Sequence, residues 1–170
     1  MLSARKQTYE YFCKTRYVMK KNRHGSRILA VQGLYMFSQH PSCTREHLLQ
    51  FPWLNDSERE GHSQTTFDYA SLLIQGTLDE LEEIDRTISS LLINWDISRL
   101  SAADLAILRI SMYALKFQKD ISFKIVIHEA ILLCQELSGP KAYSFINGIL
   151  DAYVKQGIID HDTLEDKTRS

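Results

Sequence analysis

Apolar residues recur every three or four positions through most of this chain, which is the spacing of one face of an α-helix. The pattern starts with Ile28, Val31 and Leu34 and predicts a first core helix over residues 22–39. A second, shorter helix is predicted over 44–51. The first third of the chain is therefore expected to be helical.

The longest run of this pattern spans residues 63–94, after a polar loop predicted over 52–61. A single helix of that length would extend roughly 45 Å, which is long for so small a domain. Gly76, followed by a possible capping box at Thr77 and Glu80, offers a place to bend or restart. We therefore predict a bend near Gly76.

Three further helices are predicted in the second half of the chain. Ser101 and Asp104 have the spacing of a capping box ahead of the first of them. The segment 125–134 is apolar on nearly every side, which predicts a helix buried at the centre of the fold. The Gly-Pro pair at 139–140 ends it, and the last helix is predicted over 141–156.

The composition agrees with an all-α fold. The 170 residues are 44% hydrophobic, and seven Gly with three Pro are too few for the turns of an all-β fold. We predict a compact bundle of about six or seven helices over 22–158. A basic N-terminal arm over 1–21 precedes it, and a polar C-terminal tail over 159–170 follows it.

Charge is strongly segregated along the chain. The first 27 residues hold eight of the twenty Lys and Arg and a single acid, so a basic head of +7 precedes an acidic body of −8. Lys20, Lys21, Arg23 and Arg27 lie at the start of the first core helix, and we expect them to project outward because its apolar face is committed to the core. Such a cluster predicts binding to the phosphates of single-stranded or looped RNA or DNA.

Two other features bear on binding. Tyr35 lies just over two helical turns after Arg27 and could stack on a base beside the cations, although a core position is the commoner outcome. An acidic run on the long helix contains Glu82 and Glu83. Such runs are usually a solvated face, and the alternative is a docking site for a basic protein partner.

No motif for catalysis is present in the sequence. Glycine-rich phosphate loops, nucleophile elbows and paired metal-binding His are missing, and the three Cys are far apart. We therefore predict no enzyme, no cofactor and no metal site. His128-Glu129, within the predicted buried helix, is either an acid–base pair or, more commonly, a polar pair that ties helices together. Reduced thiols and the lack of a membrane-spanning segment predict a cytoplasmic protein.

Four stretches of the sequence together resemble the NusB family of transcription antitermination factors. They are Arg23-x-x-x-Arg27 leading into Ala30-Val31-Gln32-Gly33-Leu34-Tyr35, Leu105-Ala106-Ile107-Leu108-Arg109-Ile110 with Tyr113, Ile127-His128-Glu129-Ala130-Ile131, and Phe145-Ile146-Asn147-Gly148-Ile149-Leu150-Asp151. Their order and approximate spacing match over about 20–155.

The resemblance implies an all-helical protein whose arginine-rich N-terminal segment binds the boxA sequence of nascent RNA together with ribosomal protein NusE. That complex would join the RNA polymerase elongation complex and promote transcription of ribosomal RNA. With the cation cluster, the expected RNA-binding residues are Lys20, Lys21, Arg23, Arg27, Tyr35 and Phe145.

The resemblance also implies structural roles at matched positions. Arg109 and Glu129 are interpreted as structural residues that could pair between helices. Gly148 within a helix costs about 1 kcal/mol relative to Ala, which is tolerable if a neighbouring backbone approaches closely there.

The same domain also resembles the N-terminal part of ribosomal RNA cytosine methyltransferases, which continue into a large catalytic domain. The alternative function is therefore a non-catalytic helical adaptor, with Glu82 and Glu83 as its candidate partner-binding residues.

Overall fold

The computed structural model of the chain describes residues 23–167, and the side chains of 23–139 and 142–157. The described residues form α-helices and one 3₁₀ turn, without a strand, which confirms the all-α prediction. The helices are α1 (Arg23–Gln39), α2 (Arg45–Leu48), α3 (Asp56–Glu60), α4 (Gln64–Asp79), α5 (Leu81–Leu91), α6 (Ala102–Phe117), α7 (Phe123–Leu137) and α8 (Pro140–Lys167), with the 3₁₀ turn at Ile97–Arg99. No helix in this part of the chain is both long and apolar enough to cross a membrane.

The chain divides into two compact units. The first ends at Glu80 and the second begins at Leu81. The basic arm over 1–21 lies outside the described residues, and the single domain over 22–158 stays a prediction.

In the first unit, α1 packs against α4. The predicted stripe of α1 is buried as expected, and so are Leu73 and Ile74 of α4. The two helices approach closely at Gly33, where an added Cβ would lie 2.8 Å from Ile74 Cδ1 and 3.1 Å from Trp53 Cη2 of the connecting segment. Trp53 in turn donates an indole hydrogen bond of 3.0 Å to Gln32 Oε1. A residue without a side chain at position 33 is therefore what lets this interface close.

Two short helices connect α1 to α4. The predicted loop over 52–61 contains α3, because Asn55 and Glu58 form a capping box that starts a helical turn. Before it, buried Phe51 adopts a left-handed backbone conformation with φ of 49°, which costs about 1 kcal/mol or more. Arg59 stabilises this conformation by donating a hydrogen bond of 2.7 Å to the Phe51 carbonyl.

The long helix is interrupted, as predicted, but not at the predicted residue. It ends at Asp79 and restarts at Leu81, with Glu80 between the two helices. Thr77 is buried inside α4. The predicted capping box at Thr77 and Glu80 is therefore wrong, because Thr77 lies in the last turn of α4 and the Glu80 amide that it would cap already donates to the Gly76 carbonyl at 3.2 Å.

In the second unit, α6 packs against α5, α7 and α8. The predicted cap at Ser101 is present, because Ser101 Oγ accepts from the Asp104 amide at 3.0 Å. The reciprocal half of a capping box is replaced, since the Asp104 carboxylate accepts from the Ser101 hydroxyl at 2.7 Å and not from the Ser101 amide. Leu108 is fully buried, while Leu105 is half-buried.

The prediction of a centrally buried helix over 125–134 is wrong. Only one face of α7 is buried, with Val126, Ala130, Leu133 and Cys134, while Ile125 and His128 are exposed. Apolar residues on the other face had suggested full burial, but no described element covers that face completely. His128 is therefore not part of a buried acid–base pair.

Burial raises the pKa of the Cys134 thiol, on the buried face of α7, to about 12.

The last helix begins at Pro140 and continues to Lys167, well beyond the predicted end at Gln156. Its core positions include Ile146 and Leu150, both fully buried. Gly148 is exposed, and a Cβ added to it would meet no heavy atom within 4 Å. A close approach of a neighbouring backbone therefore does not explain the Gly at position 148.

The two helical glycines give a matched pair of stability predictions. Gly148→Ala is expected to raise the free energy of unfolding by about 0.5–1 kcal/mol, because Ala has the higher helix propensity and the space is open. Gly33→Ala is expected to lower it by about 1 kcal/mol net, because overpacking against Ile74 outweighs the same propensity gain. Urea unfolding of both variants measures the difference. If Gly33→Ala raised the free energy of unfolding as much as Gly148→Ala does, the close approach at Gly33 would be contradicted.

Candidate nucleic-acid interface

Arg23 is the first residue of α1, and its side chain is exposed. The guanidinium carbon lies 4.2 Å from the centre of the Tyr69 ring on α4. A cation over an aromatic face at this distance is held by a cation–π interaction. Packing of α1 on α4 thus fixes the position of a cation that also faces water.

A concavity of about 430 Å³ lies beside this pair. It is lined by Arg23, Ser26, Thr65, Thr66, Asp68, Tyr69 and Leu72. The lining combines one cation, one carboxylate, three hydroxyls from Ser and Thr, and an aromatic ring. Such a surface offers charge for a phosphate, hydrogen-bonding groups for a base edge and a ring for stacking.

Arg27 lies one helical turn further along α1, and its position corrects the sequence prediction. Its side chain is only 6% exposed, and its guanidinium carbon is 5.7 Å from the centre of the same Tyr69 ring. Arg27 faces into the protein toward α4 and does not project into solvent as expected. Its contact with RNA stays a prediction.

The other predicted residues of this segment have different positions. Tyr35 is 7% exposed, so its core alternative is confirmed and its ring does not stand beside Arg23 on an open face. Lys20 and Lys21 lie outside the described residues. Sequence reasoning missed Tyr69, which only the packing of α4 on α1 brings under Arg23; no motif in the sequence marks it.

Phe145 lies on α8 in the second unit and is half-buried. Its ring centroid is 6.3 Å from that of Trp95, with 51° between the ring planes. Trp95 was not predicted as a site residue, because it stands in a loop where helical periodicity gives no information. Its neighbours Asn94 and Asp96 were the only available signal of an exposed turn.

The acidic run on α5 is largely paired with cations within its own unit. Glu82 forms an exposed ion pair with Arg86 at 2.9 Å. Glu83 pairs with Lys116 of α6 at 2.7 Å, and Lys116 also donates to Thr87 at 2.9 Å. Binding of a protein partner by Glu82 and Glu83 stays a prediction, and such a partner would compete with these internal cations.

Asp85 belongs to the same run and binds Arg109 of α6 through two hydrogen bonds of 2.8 and 2.7 Å. The Arg109 and Asp85 side chains are 15% and 30% exposed. The interpretation of Arg109 as a structural residue that pairs between helices is therefore supported, with Asp85 as its partner. No group of three or more His, Cys, Asp or Glu within the described residues is arranged to hold a metal ion.

Comparison with known proteins gives matches over most of the chain. Residues 24–155 match the NusB family. The transcription antitermination protein NusB of Treponema pallidum is 42% identical over 138 residues, which cover 80% of this chain and 94% of that protein. Its counterpart in Borreliella burgdorferi is 36% identical over 133 residues, covering 78% and 93%.

Solved structures with the same fold are found as well. T. maritima NusB matches with a TM-score of 0.71 and 30% identity, covering 81% of this chain and 93% of that chain. A chain in the crystal structure of antitermination factors NusB and NusE in complex with double-stranded RNA matches with a TM-score of 0.68 and 26% identity, covering 79% and 96%.

The two ion pairs of α5 that involve Arg are expected to differ in strength. A double-mutant cycle with Asp85→Asn and Arg109→Met should give a coupling free energy of about 1–2 kcal/mol, because the pair is bidentate and mostly shielded from water. The control cycle with Glu82→Gln and Arg86→Met should give at most about 0.5 kcal/mol, because that pair is exposed. Chemical denaturation measures both. Equal couplings would show that shielding does not strengthen the Asp85–Arg109 pair.

Proposed function

The chain belongs to the NusB family, and we propose that it is a transcription antitermination factor that binds boxA-type RNA together with ribosomal protein NusE. The proposal is supported by relatives named for antitermination. It is also supported by a neighbour of the same fold that was crystallised with NusE and double-stranded RNA. Such a function is one of binding and requires no catalytic group.

The finer parts of the proposal come from what the resemblance to the NusB family implies. The RNA is single-stranded and carries a boxA-like sequence, and the assembled complex joins the RNA polymerase elongation complex. Ribosomal RNA operons are the expected targets. The protein would act in the cytoplasm, where bacterial transcription takes place.

The observation that carries the proposal is the position of Arg23. It is an exposed cation held over the Tyr69 ring at the edge of a concavity of about 430 Å³. A cation that is already positioned loses less side-chain entropy when it meets a phosphate than a free one does. The polar groups of Ser26, Thr65 and Asp68 lie in the same lining and can meet a base edge.

Removal of this cation tests the proposal. Arg23→Gln is expected to weaken binding to a boxA-type oligonucleotide about tenfold, because a charge-assisted contact is lost. It should also make the slope of log affinity against log salt shallower by about 0.7, the contribution of one phosphate contact on a single strand. Fluorescence anisotropy over a salt series, with and without NusE, measures both.

Arg86→Gln is the matched control, because it removes the same charge from an exposed position on α5. It should leave affinity and salt slope near the parent values. Binding that does not depend on salt, or that responds equally to both variants, would contradict a phosphate contact at Arg23. A scrambled oligonucleotide bound as tightly as the boxA-type one would contradict sequence preference.

The adaptor alternative makes the opposite prediction. Its supporting observation is that Glu82 is almost fully exposed on α5. Under our proposal, the double variant Glu82→Lys, Glu83→Lys keeps its RNA affinity and Arg23→Ala loses it. Pull-down of NusE and RNA titration compare the two, with thermal melting as a check that loss of the Glu83–Lys116 pair leaves the protein folded. If the charge reversal abolishes partner binding while Arg23→Ala leaves assembly on RNA unchanged, the adaptor function is correct.

A further inference from the structure

Trp95 is an exposed aromatic residue in the second unit that the proposed RNA contacts do not include. It is 57% exposed, and its ring leans against Phe145, one of the expected RNA-binding residues. An exposed Trp keeps a large, flat apolar surface in water. Bordered by polar groups, such a surface is typical of a binding site.

The backbone around Trp95 is fixed by local contacts. Asn94 adopts a left-handed conformation with φ of 59°, which Asn tolerates better than most residues. Asp96 caps the following 3₁₀ turn by accepting a hydrogen bond of 2.7 Å from the Ser98 amide. Trp95 therefore lies on a turn whose backbone is held by local hydrogen bonds, so this segment loses little conformational entropy when a ligand binds.

Two concavities meet at Trp95. One, of about 290 Å³, has apolar walls from Trp95, Leu100, Ala142 and Phe145. It also includes Ser101 and the Asp104 carboxylate, which accepts hydrogen bonds from the Ser101 and Ser138 hydroxyls. The other, of about 630 Å³, is polar and includes Asn94, Asp96 and Ser98. Trp95 and Arg99 line both. An apolar wall thus lies directly beside a polar surface, with one cation at the boundary.

Arg99 supplies that cation. Its side chain is exposed, and the nearby Asp96 carboxylate, which lines the same polar concavity, attracts it without forming a direct ion pair. Arg109, also in the second unit, is by contrast held by Asp85. The Arg99 guanidinium therefore faces solvent at the rim of the apolar wall, where an anionic ligand would compete with Asp96 for it.

We propose that Trp95, Arg99 and Phe145 form a nucleotide site for the bound single-stranded RNA, in which a base stacks on Trp95 and a neighbouring phosphate contacts Arg99. This inference rests on the proposed function. It adds to the Arg23 contact a second, aromatic contact in the other unit of the chain.

The pairing of surfaces favours RNA over a protein ligand. A nucleotide has a flat apolar face and a charged, polar backbone, and the two concavities match these two parts. Base stacking on an aromatic ring accepts any base, because every base has a π-face. A protein ligand would need an apolar side chain for the Trp95 wall and a separate carboxylate for Arg99, whereas a single nucleotide supplies a flat face and an anion together.

The test compares four full-length proteins by anisotropy of a labelled boxA-type oligonucleotide, with and without NusE. Trp95→Ala should weaken RNA binding about tenfold, the effect of losing one stacked base. Trp95→Phe keeps a ring and should stay within about threefold of the parent. Ile93→Ala is the control, since Ile93 is exposed on the same loop but lies outside both concavities; it should bind as the parent does.

A second measurement uses the fact that the chain has only two Trp. In Trp53→Phe, Trp95 is the sole indole fluorophore, and its emission should be quenched when unlabelled RNA is added and restored by high salt. Quenching is a readout that a merely structural role of Trp95 would not produce.

The outcomes separate the two proposals. If no protein binds RNA in any condition, the proposed function fails and this site fails with it. If the parent binds RNA and Arg23→Gln weakens it, but Trp95→Ala binds normally and Trp95 emission is unchanged, only the nucleotide site is overturned. Loss of NusE binding in Trp95→Ala, with RNA affinity unchanged in the absence of NusE, would make this a protein-binding surface and would also overturn the site.

Discussion

The close packing of α1 against α4 is the constraint on which the candidate interface depends. It favours a residue without a side chain at position 33, because a Cβ there would lie 2.8 Å from Ile74 Cδ1 and would make the Ile74 side chain shift. Once the apolar face of α1 is committed to this contact, the orientation of every other residue on the helix is set by its position in the turn. Arg23 then lies over Tyr69 in contact with water, and Arg27, one turn later, faces inward. The two arginines therefore differ in exposure although both guanidinium groups lie near the Tyr69 ring.

Net charge counted from the sequence does not show which charged side chains of this chain are exposed and unpaired. The acidic body counted from the sequence includes Asp85, which Arg109 neutralises, and Glu83, which Lys116 contacts. These pairs hold α5 against α6 and leave less free negative charge than the count suggests. In the basic head, Arg27 is buried. Specific recognition depends on which charges are free and positioned, and this is a property of packing.

Helical periodicity predicted most of the fold, because the apolar stripe of a helix repeats every 3.6 residues whatever it packs against. It placed α1 to within a residue and found the cap at Ser101. It could not say how much of each face a neighbour covers, which is why α7 was expected to be fully buried. The capping pattern at Thr77 was equally plausible in sequence, but a continuous helix left it without function. Of the site, the sequence identified Arg23; Tyr69 and Trp95 follow only from contacts between segments distant in the chain.

The burial of Cys134 on the inner face of α7 has a consequence for the chemistry of the protein. With its pKa raised to about 12 by burial, the thiol is almost entirely protonated at pH 7, and the thiolate is the form that reacts with peroxides, disulfides and alkylating agents. In the folded state this sulfur is therefore chemically silent, and it behaves as a small apolar side chain. Oxidative stress in the cell would leave this part of the core unmodified as long as the helix stays folded.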